Sequence, residues 1–389
     1  MDSLKIPAFL QTELRAVFSY LRFLISGGGH MTTERAIDPA KVKAGGERVF
    51  GYLKGMGVSA MIYLGDKLGL YRAMNGAGPL TSDELAQRMN LHERWVREWI
   101  RGQAAAGLID YKGDGRFELS PELAMFLADP DSPKLAIGIF SDLPQRMAVV
   151  EKLPQSFKTG LGLNYDARGP EGAAGIERVF GNWFRFLLVP QVLPKLDGVE
   201  KKLRAGAKAA DIGCGAGMAL VEMAKAFPQS QFHGYDISQH ALTRAQASKV
   251  AARVTNVTFH DAAVDRLPTD SSFDFITTFD CIHDMTHPAE MIQVIRKALK
   301  PDGTWFIADI KSSPTFEENL EKNPMTALMY AFSVMGCMSS ALSESGGAGL
   351  GTLGFNESVA RQMTAAAGFT KFQRIEFDNP MNAYYEVRP

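Results

Sequence analysis

From Ala207 to Pro389 short apolar runs alternate with helical stretches, and this alternation constrains the fold more than any other feature of the chain. The runs are K-A-A-D-I, Q-F-H-G-Y-D, V-T-F-H, F-D-F-I-T-T-F-D and T-W-F-I-A-D-I, followed near the end by K-F-Q-R-I-E-F and A-Y-Y-E-V. Short runs of this kind read as strands, and the segments between them as helices that cover a parallel sheet. Seven strand candidates in this order predict an α/β fold with an open, doubly wound sheet. Ligands of such sheets sit outside the carboxyl ends of the strands, near the point where strand order reverses.

The chain has 389 residues, enough for two or three compact regions. Hydrophobic residues make up 46% and charged residues 22%, the balance of a globular protein. A formal net charge of -1 provides no overall field for nucleic acid or anionic lipid. Cys214, Cys281 and Cys337 show no C-x-x-C spacing, so neither a disulfide framework nor a zinc knuckle is indicated. Leu10, Leu14, Val17, Phe18, Leu21, Leu24 and Ile25 form one apolar stripe at helical spacing. Gln11, Glu13, Arg15 and Arg22 interrupt it, which excludes a signal-peptide core or a membrane span and favours a cytoplasmic location.

Between about residues 40 and 130 the pattern is helix, turn, helix and small hairpin. Thr81 or Ser82 can cap the first of these helices, and Val96, Trp99 and Ile100 form the apolar face of the second. Leu108–Tyr111 and Arg116–Leu119 flank K-G-D-G as a two-stranded wing. A winged helix can read DNA, but this second helix mixes Arg94, Arg97 and Arg101 with Glu93 and Glu98. Dimerisation or roofing of a ligand site is the expectation; a DNA-binding regulator is the alternative.

Gly213, Gly215 and Gly217 stand at the end of the first strand in D-I-G-C-G-A-G and open a helix. A dinucleotide fingerprint requires G-x-G-x-x-G, and here Met218 occupies the place of the last glycine. Asp236 ends the second strand in H-G-Y-D-I, where a carboxylate can accept both hydroxyls of a ribose. Asp261 ends the third, next to the same crevice, where an acceptor can take the amino protons of adenine.

With L-P-x-x-x-x-F-D and L-K-P-D-G-T following in order, the chain from about Leu203 to Pro389 resembles a class I S-adenosylmethionine-dependent methyltransferase. The resemblance implies that Asp211 and the Gly213–Gly217 turn hold the methionine part of the cofactor S-adenosyl-L-methionine. It assigns Asp236 to the ribose and Asp261, with the Ala262 backbone, to the adenine; Ile237 and Phe279 are further cofactor contacts. The winged helix, connector and sheet are together similar to dimeric small-molecule O-methyltransferases. S-V-M-G-C-M-S-S-A-L-S-E-S-G-G-A-G-L-G-T looks closer still to actinobacterial and marine winged-helix methyltransferases, methylthiohydroxybutyrate S-methyltransferases among them.

These readings divide the chain into an extension (1–39), a winged-helix dimerisation domain (40–130), a helical connector with a lid (131–203) and a seven-stranded Rossmann-like methyltransferase domain (204–389). A cap insertion at about 314–355 completes the last. His283, in F-D-C-I-H-D-M-T-H-P just after the fourth strand, is the candidate catalytic base, since proton removal near neutral pH suits histidine. His283 and His287 stand four apart, a metal-chelating spacing on a helix, but Pro288 follows at once and no metal is expected. Candidate substrate contacts are Tyr165, Trp183 and Arg185 from the connector, Asp284, and Tyr330, Met335 and Met338 from a soft methionine-rich surface. Arg185 is the candidate carboxylate anchor, and the glycine-rich stretch after Met338 the candidate mobile lid. The acceptor atom is oxygen or sulfur; only a hydroxyl or thiol acceptor requires a base.

Overall fold

The structure is a computed structural model that describes residues 37–389; the apolar stripe from Leu10 to Ile25 lies outside them. The described residues divide into two compact units between Met56 and Gly57, inside the helix Pro39–Lys67. In the first unit Val49, Phe50, Tyr52, Leu53 and Met56 present apolar side chains to solvent.

The second unit opens with helices Leu70–Met74, Ser82–Met89 and Glu93–Ala105 and a hairpin of β1 (Asp110–Gly113) and β2 (Arg116–Glu118). Thr81 starts the second of these helices: its hydroxyl accepts from the Glu84 N–H, and the Glu84 carboxylate accepts from the Thr81 N–H. Val96, Trp99 and Ile100 pack inward against Leu70, Tyr71, Leu85 and Phe117, as their spacing predicts. The wing starts later than the sequence suggests, because the Leu108 N–H donates to the Gln103 carbonyl and closes the preceding helix. Arg94 pairs with Glu98 and Arg97 with Glu93, one turn apart on the same helix.

A connector follows, in which the helix Gly169–Trp183 runs into a wide π-type turn, Phe184–Val192, that contains Pro190. Proline has no N–H to donate and its ring crowds the preceding turn, which accounts for the loosened winding. Arg178 on this helix grips Asp66 bidentately, at 2.5 and 2.8 Å.

The sheet has β3 (Lys208–Ile212), β4 (Gln231–Asp236), β5 (Val257–Asp261), β6 (Phe273–Phe279), β7 (Leu299–Ile310), β8 (Lys371–Ile375) and β9 (Asn382–Arg388), in the order β5-β4-β3-β6-β7-β9-β8. Strands β3 to β7 are parallel, and β9 runs antiparallel to both β7 and β8. Adjacent residues face opposite layers. Ala209, Phe232, Phe275 and Phe306 pack on Leu203, Leu220 and Met223, whereas Ala210, Ile276, Trp305 and Ile307 pack on Ile292, Ile295 and Ala360. Strand order reverses between β3 and β6, so the loops after β3, β4 and β6 converge there.

Asp66 is 8% exposed and depends on Arg178 for its charge-assisted hydrogen bonds. The Arg178→Met substitution is expected to cost about 1–3 kcal/mol, because a nearly buried carboxylate then loses its partner. Urea denaturation of the variant and the parent protein measures the difference.

Candidate active site

Three elements of the site come from local sequence. Gly213, Gly215 and Gly217 all adopt left-handed φ, at 70°, 54° and 72°. The Gly213 and Cys214 N–H groups both donate to the Tyr235 carbonyl at the end of β4. At Gly215 a side chain would meet nothing within 4 Å, so the turn opens onto free space there. Its N–H is turned inward and donates to Asp236 Oδ2 at 2.7 Å, while Asp236 Oδ1 accepts from the Ser238 N–H at 2.8 Å.

Asp236 is 7% exposed, and burial pushes its carboxyl above the usual range against the pull of those two N–H groups. Ile237 beside it is well exposed. Asp261 is the register partner of Asp236; its carboxylate accepts from Gln239 Nε2 at 2.6 Å and from the Ala263 N–H at 3.0 Å. The Ala262 N–H donates to the Asp236 carbonyl at 2.9 Å, so it is already engaged rather than free for a purine. Asp211 is almost fully buried and accepts from Thr277 Oγ1 at 2.8 Å. Burial raises its carboxyl to about 8.

The fourth element joins residues far apart in sequence. His283 lies in a short turn, Ile282–Asp284, after β6, and its Nδ1 stands 2.6 Å from Asp309 Oδ1 at the end of β7. Nδ1–H donates to that carboxylate, which leaves the Nε2 lone pair as the basic position. Burial disfavours charge on His283, but the Asp309 carboxylate, with Cys337 close by, outweighs burial and holds the imidazole well above its ordinary pKa. A ring nitrogen of His283, a carboxylate oxygen of Asp284 and Cys337 Sγ lie within 4.8 Å of one another. Burial pushes Asp284 up to about 7 and Asp280 likewise, with the Asp309 charge adding to both. Asp280 has a left-handed φ of 47°, and its carboxylate is held by Asn382 Nδ2 at 2.7 Å.

Tyr165 joins this group: burial raises its phenol, and the charges of Asp284 and Asp236 act in the same direction. Asp166 next to it accepts from Ser238 Oγ, and the preceding loop is pinned by Leu163 N–H to Ser339 Oγ and Gly162 N–H to the Leu342 carbonyl. Met335 and Met338 are half-buried in and beside the segment that carries Cys337. Trp183 and Phe279 pack into one aromatic cluster with Phe184 and Tyr384. Tyr330 is exposed beside Phe316.

Arg185 departs from expectation. It is largely exposed, lies over Phe186 and pairs with Asp131, so it is not among the residues gathered at the strand ends. His287 is also exposed and faces Glu344 at 3.6 Å, away from the Asp309 partner of His283. The glycine-rich stretch is no free flap: Ala348 N–H donates to the Thr286 carbonyl, Gly351 N–H to the His283 carbonyl, and Thr352 N–H to Ser333 Oγ. The sequence alone singles out neither Asp309 nor Asp280, although Asp280 ends a strand run as Asp236 does and Asp309 stands one residue before the end of another.

With this geometry in hand, comparison with known proteins places the parts. Residues 203–352 match the family described as a methyltransferase domain, and residues 56–129 the Rv2258c-like winged HTH domain. The chain therefore carries a methyltransferase domain behind a winged-helix domain. It is 27% identical over 135 residues to the ubiquinone biosynthesis O-methyltransferase of Leptothrix cholodnii, covering 34% of this chain and 53% of that protein. It is 34% identical over 110 residues to the tRNA (guanine-N(7)-)-methyltransferase of Shewanella frigidimarina, covering 25% and 46%. The chain thus spans about half the length of these curated relatives.

Among solved structures, human N-acetylserotonin methyltransferase in complex with SAM superposes with a TM-score of 0.65 at 15% identity, over 92% of this chain and 99% of that one. Mitomycin 7-O-methyltransferase MmcR gives 0.63 at 19% identity, over 90% and 99%. At such identities the likeness establishes the shared fold, from winged helix to sheet.

The buried Asp211 carboxyl makes a testable demand on stability. Its folded pKa of about 8 lies above the ordinary 3.8, so the folded chain keeps a proton that the unfolded chain releases. Stability is therefore lost progressively as pH rises from about 4 to about 8. The Asp211→Asn variant lacks this loss. Its Tm is expected to lie nearest the parent's at about pH 4 and to exceed it increasingly up to about pH 8, with little further divergence above; scanning fluorimetry across that range tests it.

Proposed function

We propose that the protein is an S-adenosylmethionine-dependent methyltransferase that transfers a methyl group to a small-molecule acceptor through oxygen or sulfur. The observation that carries this reading is the meeting, at one strand-order reversal, of the open Gly215 turn with Asp211, Asp236 and Asp261 on one side and the His283–Asp309 pair on the other. The turn and acids suit a nucleoside sulfonium: the free space at Gly215 admits a ligand against backbone, and Asp211 is a buried acid beside that turn. In this reading Asp211 and the glycine turn hold the amino-acid end, Asp236 the ribose and Asp261 the adenine, with the exposed Ile237 beside Asp236 a further cofactor contact. The cofactor supplies an activated methyl group when bound.

The rest of the chemistry falls to the chain. Tyr165, Met335, Met338 and the pinned 160–168 loop exclude water and orient the acceptor, and orientation alone lowers such a barrier by several kcal/mol. His283, with its proton fixed on Nδ1 by Asp309, takes the acceptor's proton at Nε2. A thioether acceptor such as methylthiohydroxybutyrate releases no proton, and His283 then acts as a polar contact.

The winged helix serves pairing in this reading. Arg94 and Arg97 are neutralised by Glu98 and Glu93 on their own helix, which disfavours a phosphate backbone as ligand. Exposed apolar residues on Pro39–Lys67 support a homodimer. No helix among the described residues is long and apolar enough to cross a membrane; a cytoplasmic site of action remains part of the proposal.

Calorimetric titration with S-adenosylhomocysteine tests the cofactor directly: saturable binding is expected, and silence at millimolar ligand overturns the reading. The base is tested by pH profiles. Because His283 must be neutral to accept a proton and Asp309 holds it protonated, turnover on a hydroxyl or thiol acceptor is expected to rise with pH through the raised pKa. Asp309→Asn removes the holding charge and is expected to move that limb to lower pH, with kcat down about 10²-fold or more. An unmoved limb removes His283 from the base role.

A further inference from the structure

Arg146 and Arg168 are the cations of the site that the reading above leaves without a task. Both point at one carboxylate: Arg146 Nε donates to Asp142 Oδ1 at 2.6 Å and Arg168 Nη1 to Asp142 Oδ2 at 2.9 Å. Asp142 is fully buried, and each arginine keeps 12% of its side-chain surface. The helix Gly169–Trp183 closes over this trio at Gly175, where a Cβ would stand 3.1 Å from Asp142 Cβ and Cγ. Two guanidiniums share one carboxylate, so the trio carries one net positive charge. Their other N–H groups have no partner among the described residues.

The pair adjoins the methyl-transfer centre. Arg146 lies over the Phe332 ring at 4.6 Å, directly before the Ser333–Cys337 segment that brings Cys337 to His283 and Asp284. Arg168 lies 6.0 Å from the Tyr165 ring and two residues after Asp166, which is bonded to Ser238 at the end of β4. Arg168 is near enough to Asp284 to favour its ionised form, yet makes no hydrogen bond to it.

We propose that Arg146 and Arg168, splayed on Asp142, form a carboxylate clamp at this site, taking the carboxylate of the acceptor or that of the cofactor's amino-acid end. A planar guanidinium edge matches a carboxylate. The single net charge of the trio suits a monoanion rather than a phosphate dianion. Arg146 and Arg168 thereby take the role that the sequence assigned to Arg185. As a statement about substrate, the clamp rests on the methyltransferase reading; as an anion site it does not.

The full chain is titrated with butanoate and benzoate, with their primary amides and with inorganic phosphate, in the presence and absence of S-adenosylhomocysteine. Thermal shift and calorimetry read the binding. The same chain is titrated with S-adenosylhomocysteine and with 5′-methylthioadenosine, which lacks the amino-acid carboxylate. The acids are expected to bind better than their amides, and Arg146→Gln or Arg168→Gln to reduce that preference by about tenfold or more.

If the variants lose this preference and keep their S-adenosylhomocysteine affinity, the clamp serves the acceptor. If instead S-adenosylhomocysteine weakens about tenfold while 5′-methylthioadenosine is unaffected, it serves the cofactor. No change in either comparison, or tighter binding of phosphate than of any acid, overturns the clamp. Acid preference in a chain that binds neither nucleoside sinks the methyltransferase reading and leaves the clamp standing. Should the variants not fold, phenylglyoxal labelling of the unaltered chain replaces them: the acids, or S-adenosylhomocysteine but not 5′-methylthioadenosine, are expected to protect Arg146 and Arg168 in peptide mass spectra, and protection by neither overturns the proposal.

Discussion

Strand order reverses between the paired neighbours β3 and β6, and the acids at the carboxyl ends around that reversal, the half-buried Asp261 apart, are buried. Asp211, Asp236, His283 and Asp309 are each less than a tenth exposed. Burial of that kind is tolerable only where donors are at hand or a proton is retained. Asp236 uses the Gly215 and Ser238 N–H groups, so the glycine turn and the second strand end are one hydrogen-bonded object. Asp211 has a single hydroxyl and keeps its proton to about pH 8. The site is thus an acidic well in which individual carboxyls hold their protons to different pH.

That arrangement explains how one histidine can be strongly held and still be useful. Asp309 Oδ1 takes both the Ile310 N–H and His283 Nδ1–H, which fixes the ring and its tautomer. Nearby Asp280 and Asp284 are pushed toward neutrality, so they crowd the imidazole with dipoles more than with charge. The Gly351 N–H holds the His283 carbonyl from above, so the ring is constrained at both its side chain and its backbone.

What could be read in the sequence was whatever sits within one strand–turn–helix unit. The short apolar runs, the glycine turn and the acids at strand ends are local patterns, and the strands of the sheet fall where the runs predict. Partnership across strands is not local. Nothing near His283 names Asp309, 26 residues on, as its partner, and nothing near Arg168 names Asp142. Arg185 was the more conspicuous arginine because aromatic neighbours surround it in W-F-R-F, yet it lies over one of those rings and faces Asp131 instead. The glycine-rich stretch misled for a related reason: composition signals permissive backbone, but hydrogen bonds to residues 283, 286 and 333 decide whether it moves.

Asp309 Oδ2 remains buried without a partner, a condition that costs about 1–3 kcal/mol when nothing compensates it. The strand end could have supplied a donor, as it does for Oδ1 through Ile310. Satisfying Oδ2 would have spread the carboxylate's charge over a further N–H and weakened its hold on the imidazole. Leaving it bare keeps the negative charge beside His283, while Asp280 nearby is raised to about 7 by burial, with the Asp309 charge adding to it, and so does not compete for the ring. The unsatisfied oxygen is therefore better understood as part of how the histidine is tuned than as a packing fault.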